Sequence, residues 1–276
     1  MKKRLIPRID LKGPNLIKTV FYEGLRVIGN PLPFIEKYYE DGADEIIVND
    51  LVASLYKRKF DYNILKTLKQ KINLPITAGG GIKTISDIEQ FLSSGADKVF
   101  INSHAIKDPN FLSLACNTFG SSTISISIDT SFINNNYFCI TEGGKNISKL
   151  DVESWIIETQ KRGVGEIILN SLDLDGTGKG YDIKLYQKVS NIINVPVVVS
   201  GGFGNIKHIK ECLSILNVSG FSIGSSIHYK FLENNIKKIK SQKFSEGNTE
   251  FIKNFYNYFK GTTHELKFIS KQLEKI

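Results

Sequence analysis

Short apolar runs alternate with segments of helical periodicity along most of the chain. The runs are nearly continuous, as in residues 46–48, which is typical of parallel strands buried on both faces. Between two of them, apolar residues recur at helical spacing at Ile64, Leu65, Leu68 and Ile72. The whole pattern predicts eight strand–helix pairs, four in each half of the chain.

The polar residues that end the predicted strands repeat at a nearly constant interval. Asp10 is matched by Asp129, 119 residues later, and residues 79–81 are matched by residues 200–202, 121 residues later. A half-chain unit that occurs twice favours a closed barrel over an open sheet, because two four-strand halves can complete a ring. We therefore predict the α/β class and a (β/α)8 TIM barrel with a two-fold half-barrel repeat.

The repeat also predicts the domain limits. The barrel is expected over residues 1–243, with halves of about 1–120 and 121–243, and a small hairpin is expected at 132–141. Residues 244–276 are predicted to form a C-terminal extension of two helices packed outside the barrel. The apolar residues behind this prediction include Phe251, Ile252, Phe255, Leu266, Phe268 and Ile269.

Composition narrows the class of protein. The chain has 276 residues and a net charge of +8, but its lysines are scattered, which argues against nucleic acid binding and suits a phosphorylated substrate. Cys116, Cys139 and Cys212 are isolated, as expected in a reducing cytosol. The absence of a long apolar run or a signal-peptide core predicts a cytoplasmic protein without membrane segments.

Candidate chemistry lies where the predicted strands end. In such barrels the active site forms at the carboxyl ends of the strands, and Asp10 and Asp129 end strands one and five, on opposite sides of the ring. Two facing carboxylates suit general acid and general base catalysis. Glycine clusters half a chain apart suit two phosphate groups. The histidines lack ligand spacing, so we expect neither a metal nor a cofactor.

At these residues the chain resembles the cyclase subunit of imidazole glycerol phosphate synthase. The matching segments are Arg4–Asp10, Ala53–Ser54 with Lys57–Lys59, Ala78–Ile82, Gly95–Val99, Asp173–Asp182 and Ser200–Gly202. The resemblance implies a heterodimer in which a glutaminase supplies ammonia. The ammonia would convert a bis-phosphorylated ribulosyl-formimino aminoimidazole carboxamide ribotide into imidazole glycerol phosphate and aminoimidazole carboxamide ribotide, for histidine and purine synthesis.

The resemblance also implies residue roles. Asp10 and Asp129 match the catalytic aspartates, and Asp97 matches a residue of the glutaminase docking surface. The positions that match substrate or phosphate contacts are Lys18, Asp50, Gly80, Gly81, Asn102, Ser103, Asn170, Asp175, Gly176, Gly201, Gly202, Gly224 and Ser225. The positions that match a ring of charges at the ammonia gate are Arg4, Glu45, Lys98 and Glu166.

Two departures from the family pattern bear on function. Arg8 stands where the family has a small neutral residue, and strand alternation turns it to the same inward side as Asp10. An arginine there is expected to pair with Asp10 or Asp129 and to lower the pKa of its partner. The lysine that usually follows the second aspartate is missing from Thr130–Phe132.

These departures keep two alternatives open. Paralogues with an Arg-Ile-Asp strand resemble this chain and are thought to deliver ammonia for the amidation of a sugar in surface-polysaccharide synthesis. The other alternative is a non-enzymatic scaffold that conducts ammonia to another synthetase. Histidine genes or sugar-nucleotide genes beside this one would separate the readings.

Overall fold

A computed structural model describes residues 2–241 and 257–276 of the chain. The strands are β1 (Arg4–Lys12), β2 (Asn15–Val20), β3 (Glu23–Gly29), β4 (Ile46–Asp50), β5 (Ile76–Gly79), β6 (Lys98–Ile101), β7 (Ile124–Ile133), β8 (Asn136–Thr141), β9 (Asn146–Asp151), β10 (Glu166–Ser171), β11 (Val197–Ser200) and β12 (Gly220–Ile223). The helices are α1 (Pro31–Glu40), α2 (Asn63–Lys71), α3 (Ile85–Ser93), α4 (Ser103–Lys107), α5 (Asn110–Phe119), α6 (Val152–Lys161), α7 (Ile183–Val189), α8 (Ile206–Leu213), α9 (Ser225–Ser241) and α10 (Leu266–Leu273).

Eight of the strands close into a parallel barrel, in the order β1, β4, β5, β6, β7, β10, β11, β12, with β12 paired to β1. Helices lie between successive strands, so the predicted (β/α)8 TIM barrel is confirmed. The outward faces of the strands and the inner faces of the helices form the main core. Among the described residues, no helix is long and apolar enough to cross a bilayer.

Strand alternation sorts the lumen into layers. The lowest layer holds Arg4, Glu45, Lys98 and Glu166, which we call the basal ring. A middle layer is largely apolar: Ile6, Ile47, Phe100, Ile168 and Val198 form one cluster there, with Ser222 beside Ile6. Above it lie Arg8, Asn49, Asn170 and the aspartates, which form the mouth of the barrel.

Two insertions surround the mouth. β2 and β3 form an antiparallel hairpin in the first strand-to-helix loop, which the pattern of eight strand–helix pairs did not predict. The hairpin predicted at residues 132–141 is present, and β9 adds a third strand to it. Residues 146–149 of that third strand are mostly exposed and show no apolar alternation, so no sequence signal marked it.

The C-terminal extension agrees with the prediction in part. α10 packs on the barrel through buried Leu266 and Ile269. Before it, backbone N–H groups of Lys260 and Thr262 donate to loops at the mouth end. The predicted helix around Phe251, Ile252 and Phe255 lies outside the described residues. The proposed domain limits at residues 120 and 243 stay predictions.

Candidate active site

Asp10 and Asp129 face the lumen toward the carboxyl ends of β1 and β7, and both are buried. The parallel register places Asp10 beside Asn49 and Asp129 beside Asn170. Asn49 Nδ2 donates to Asp10 Oδ1 at 2.8 Å, and Asn170 Nδ2 donates to Asp129 Oδ1 at 2.9 Å. Each carboxylate is thus held by an amide from the next strand, at the same end of the barrel.

Arg8 lies between the two aspartates. Its Nε donates to Asp10 Oδ1 at 3.0 Å, as expected from strand alternation, and its Nη2 donates to the hydroxyl of Tyr22 at 2.5 Å. The Tyr22 hydroxyl in turn donates to Asp129 Oδ1 at 3.3 Å. Arg8 therefore pairs with Asp10 directly and reaches Asp129 through a tyrosine that sequence reasoning missed.

The backbone of Arg8 is fixed by a buried histidine. The Arg8 carbonyl accepts from His228 Nε2 at 2.9 Å, so Nε2 carries the proton and Nδ1 accepts from the Tyr38 hydroxyl at 2.6 Å. Burial, with the Lys18 charge nearby, lowers the pKa of His228 to about 3. The imidazole is therefore a neutral support for the strand that carries Arg8 and Asp10.

The two carboxyl groups have pKa values shifted in opposite directions. Burial opposes ionisation of Asp10, but the charges of Arg8 and Lys18, together with hydrogen bonds from Asn49 and Arg8, outweigh it and hold the pKa of Asp10 below its usual value. For Asp129, burial dominates and raises the pKa, because the Arg8 charge and the hydrogen bonds from Asn170 and Tyr22 only partly offset it. Paired groups with diverging pKa values are the usual signature of a base and an acid.

The first glycine cluster lines one pocket at the mouth. Predicted residues Gly80, Gly81, Asn102 and Ser103 meet there, with Arg8 on the inner wall. The amide of Asn102 donates to Asp129 Oδ2 at 2.8 Å, while its Oδ1 is buried without a partner. The structure thus brings this predicted set together and attaches it to the second aspartate.

Asp50 also lines this pocket, but its carboxylate is engaged. It pairs with Arg58 at 2.7 Å and accepts from the backbone N–H of Val52 at 3.2 Å. Burial, only partly offset by Arg58, raises the pKa of Asp50. These contacts fit a residue that orders the loop around the glycines.

The second glycine cluster lines a pocket on the opposite side of Arg8. The predicted residues found there are Lys18, Asp175, Gly176, Gly201, Gly202, Gly224 and Ser225, and Asp10 lies beside them. Gly202 has φ 97°, and a Cβ there would lie 1.9 Å from the Gly180 carbonyl oxygen. Only glycine fits this position, so the backbone itself forms the pocket wall.

The β2–β3 hairpin closes over this second pocket. Thr19 Oγ1 donates to Asp175 Oδ2 at 3.2 Å, and the Phe21 N–H donates to the Asp175 carbonyl at 3.1 Å. Lys18 is buried as a result, and burial, partly offset by Lys18, raises the pKa of Asp175. The hairpin thus brings a lysine into the mouth, as the family resemblance implied.

The basal ring closes the other end of the lumen. Arg4 contacts Glu45 at 2.5 Å and also pairs with Glu166, while Lys98 contacts Glu45 at 3.1 Å and Glu166 at 3.0 Å. Cations and anions therefore alternate around the ring. Asp97, the predicted docking residue, pairs with Lys69 at 3.3 Å and accepts from the Ile76 N–H.

Comparison with known proteins places these features in a family. A family model described as histidine biosynthesis protein matches residues 4–233. The chain is 45% identical to the imidazole glycerol phosphate synthase subunit HisF of Legionella pneumophila, over 74% of this chain and 97% of the relative. It is 38% identical to the subunit HisF of Staphylococcus saprophyticus, over 87% of this chain and 96% of the relative.

The likeness extends to archaea. The chain is 37% identical to the subunit HisF of Sulfolobus acidocaldarius, over 82% of this chain and 90% of the relative. The family-model match to residues 4–233 covers the strands that carry both aspartates, both glycine clusters and the basal ring. On the fold, the site and this similarity together, the chain belongs to the histidine biosynthesis protein family.

Proposed function

We propose that this chain is the cyclase subunit of an imidazole glycerol phosphate synthase. It would use ammonia to convert the bis-phosphorylated ribulosyl-formimino aminoimidazole carboxamide ribotide into imidazole glycerol phosphate and aminoimidazole carboxamide ribotide. The single observation that carries the proposal is the pair Asp10 and Asp129, with diverging pKa values, between two glycine-lined pockets. The two pockets suit the two phosphates of one extended substrate.

The reaction needs a base and an acid at one place. When ammonia adds to a carbonyl carbon, the new nitrogen carries excess protons, and the oxygen must gain protons before it leaves as water. Asp10, whose pKa is lowered, is the base that accepts a proton from nitrogen. Asp129, whose pKa is raised, is the acid that donates one to oxygen.

The lumen supports delivery of ammonia from the opposite end. Neutral ammonia crosses the apolar middle layer at lower cost than hydrated ammonium, because a bare charge is expensive to bury. Buried Ser125 and Ser222 have side-chain oxygens without partners in the described structure, and both face the lumen. They offer hydrogen bonds to a small polar molecule in transit.

We further propose a glutaminase as the partner on the N-terminal face, beside the basal ring and Asp97. The relatives carry the name subunit, which supports an assembly of more than one chain. The chain's three cysteines are all buried and free, and burial raises the pKa of each thiol. None suits a glutaminase nucleophile, and buried reduced thiols are consistent with a cytoplasmic site of action.

The test is a cyclase assay with the bis-phosphate substrate and ammonium salt at raised pH, so that free ammonia replaces the partner. We expect formation of both products. Binding of the bis-phosphate without turnover, at any ammonia concentration, would contradict the cyclase function. A titration with the glutaminase from the same genome tests the proposed partner, and we expect one-to-one binding.

One observation favours a second candidate, ammonia delivery for the amidation of a sugar. Arg8 and Tyr22 together fill the space between the aspartates, where the cyclase substrate has to lie. An inactive wild type in the ammonia assay, combined with conduction of ammonia to a sugar-modifying partner, would support this candidate or a pure scaffold.

A further inference from the structure

The phenol oxygen of Tyr22 sits in a complete hydrogen-bonding site. It accepts from Arg8 Nη2 at 2.5 Å and from Asn170 Nδ2 at 2.9 Å, and it donates to Asp129 at 3.3 Å. All four side chains are buried. Two donors and one acceptor converging on a single oxygen are what a sugar hydroxyl requires, and the two donors alone suit a carbonyl oxygen.

This site does not depend on the tyrosine for its shape. Arg8 is anchored by Asp10 through its Nε, and Asn170 is anchored by Asp129 through the same amide that reaches the phenol. Arg8, Asn170 and Asp129 all belong to barrel strands. Tyr22 instead belongs to the tip of the β2–β3 hairpin, between the strands, and has φ 57°.

The phenol also contacts Arg8, a side chain that lines both glycine-lined pockets. Arg8 lines both pockets, and Asp129 lines the first and Asp10 the second. A ligand that reaches from one pocket to the other must therefore pass over Arg8, where the phenol now lies. One further acceptor, Asn170 Oδ1, is buried without a partner, which a ligand with several hydroxyl groups would supply.

We propose that Arg8, Asn170 and Asp129 form a subsite for a hydroxyl or carbonyl oxygen of the substrate's open-chain sugar, and that the Tyr22 phenol occupies it until substrate displaces the tip of the hairpin. This inference rests on the proposed function, because it names a contact of the same substrate. Tyr22 is then an internal competitor. The apparent affinity for substrate equals the intrinsic affinity multiplied by the fraction of molecules whose subsite is free.

Tyr22→Phe tests the competitor directly, because it keeps the ring and removes only the oxygen. The state in which residue 22 fills the subsite then loses its hydrogen bond from the charged Arg8, so substrate binding should tighten on the order of tenfold. This should appear as a lower KM, with kcat within twofold of the wild type. Tyr186→Phe is the matched control, because it removes another buried phenol oxygen, from a helix residue that lines neither pocket. It should leave KM unchanged.

Arg8→Met tests the subsite in the Tyr22→Phe background, where no competitor remains. Loss of the guanidinium should weaken binding on the order of tenfold relative to Tyr22→Phe alone. Asn170→Ala in the same background gives a second, uncharged probe. An unchanged affinity in both double variants would overturn the subsite.

Binding without turnover separates this inference from the proposed function. Calorimetry with the bis-phosphate substrate in the absence of ammonia reports affinity, and amide hydrogen exchange of residues 15–29 reports hairpin opening. Tighter binding by Tyr22→Phe with faster exchange on substrate addition supports the subsite, even if no product forms on adding ammonia. Equal binding by wild type and Tyr22→Phe, exchange that slows on binding, or no binding at all would overturn it.

Discussion

The two ends of the barrel lumen carry similar numbers of charged side chains but balance them differently. In the basal ring, two cations alternate with two anions, so the charges cancel within one closed cycle. At the mouth, Arg8 and Lys18 face the buried carboxyl groups of Asp10, Asp129 and Asp175. The mouth therefore has one more acid than base.

That surplus explains why one end suits chemistry and the other suits closure. A buried carboxylate without a full counter-charge gains stability by holding a proton, and the pKa of Asp129 is raised accordingly. Asp10, in contact with Arg8, stays ionised. In the basal ring each charged side chain is paired with charges of opposite sign, so none of them is set up to exchange a proton with a substrate.

The largest expected effect comes from removing either carboxyl group at the mouth. Asp10→Asn and Asp129→Asn should each lower kcat by roughly a hundred- to ten-thousandfold, because a positioned acid or base contributes on that scale. Asn is nearly isosteric, so circular dichroism should be unchanged. Asp61→Asn, at the exposed start of α2, is the control. Retention of full activity by both mouth variants would remove the catalytic assignment.

The next effect comes from removing the cation of the mouth. Arg8→Met leaves Asp10 buried without its partner and should lower the free energy of unfolding by about 3–5 kcal/mol at neutral pH. Because the folded pKa of Asp10 is depressed, its contribution is present above the unfolded pKa and is lost as pH falls through the folded value. The wild type should therefore lose its advantage over Arg8→Met in acid.

Denaturant melts between neutral pH and pH 3 measure this. Arg162→Met, which breaks a partly exposed pair with Glu158 and hydrogen bonds to Asn110 and Ser113, is the control and should cost less than Arg8→Met because these contacts are not buried in the lumen. A pH-independent difference between wild type and Arg8→Met would show that the Arg8–Asp10 pair does not set the ionisation of Asp10.

A smaller effect is expected at the basal ring. Lys98→Met leaves two glutamates with one shared cation and should lower the free energy of unfolding by roughly 1–3 kcal/mol. Ammonia-driven kcat should stay within twofold, because the ring lies at the other end of the lumen from the aspartates proposed to transfer protons. Lys71→Met, in an exposed pair with Glu36, controls for loss of charge. A loss of ammonia-driven activity comparable to that of Asp129→Asn would erase the contrast between the two ends.

The smallest effect on the stability and ammonia-driven activity of the chain itself is expected at Asp97. Its pair with Lys69 is exposed, so Asp97→Asn should change stability by about 1 kcal/mol or less and leave ammonia-driven activity intact. Glutaminase binding should weaken, as measured by titration calorimetry. Glu153→Gln, at the start of α6 on the opposite face, is the control and should bind normally. Equal affinities would place the partner elsewhere.

The sequence predicted the barrel well because each strand is nearly continuous in apolar residues and ends in a distinct polar marker. It also predicted that Arg8 faces Asp10, since alternation along one strand is a local property. Less was predictable where burial comes from distant segments. β9 has no buried residue, and α7 ends at Val189 although apolar residues continue at Ile192 and Ile193.

Tyr22 shows why part of the site escaped prediction. Nothing in the local sequence separates it from Phe21 beside it, yet Tyr22 is 1% exposed and Phe21 is 47% exposed. The difference arises from positive φ angles at the hairpin tip, which turn one ring into the mouth and the other to solvent. His228 was missed for a similar reason, because its partner is a backbone carbonyl on a strand 220 residues away.

The central claim is that the mouth splits its two aspartates into a base and an acid. Carbon-13 NMR of aspartate side-chain carboxyls during a pH titration tests it, with the two resonances assigned by their loss in Asp10→Asn and Asp129→Asn. We predict that the Asp10 resonance titrates below the ordinary aspartate range and that of Asp129 above it. Both resonances titrating on the same side of that range, or in the reverse order, would contradict the account.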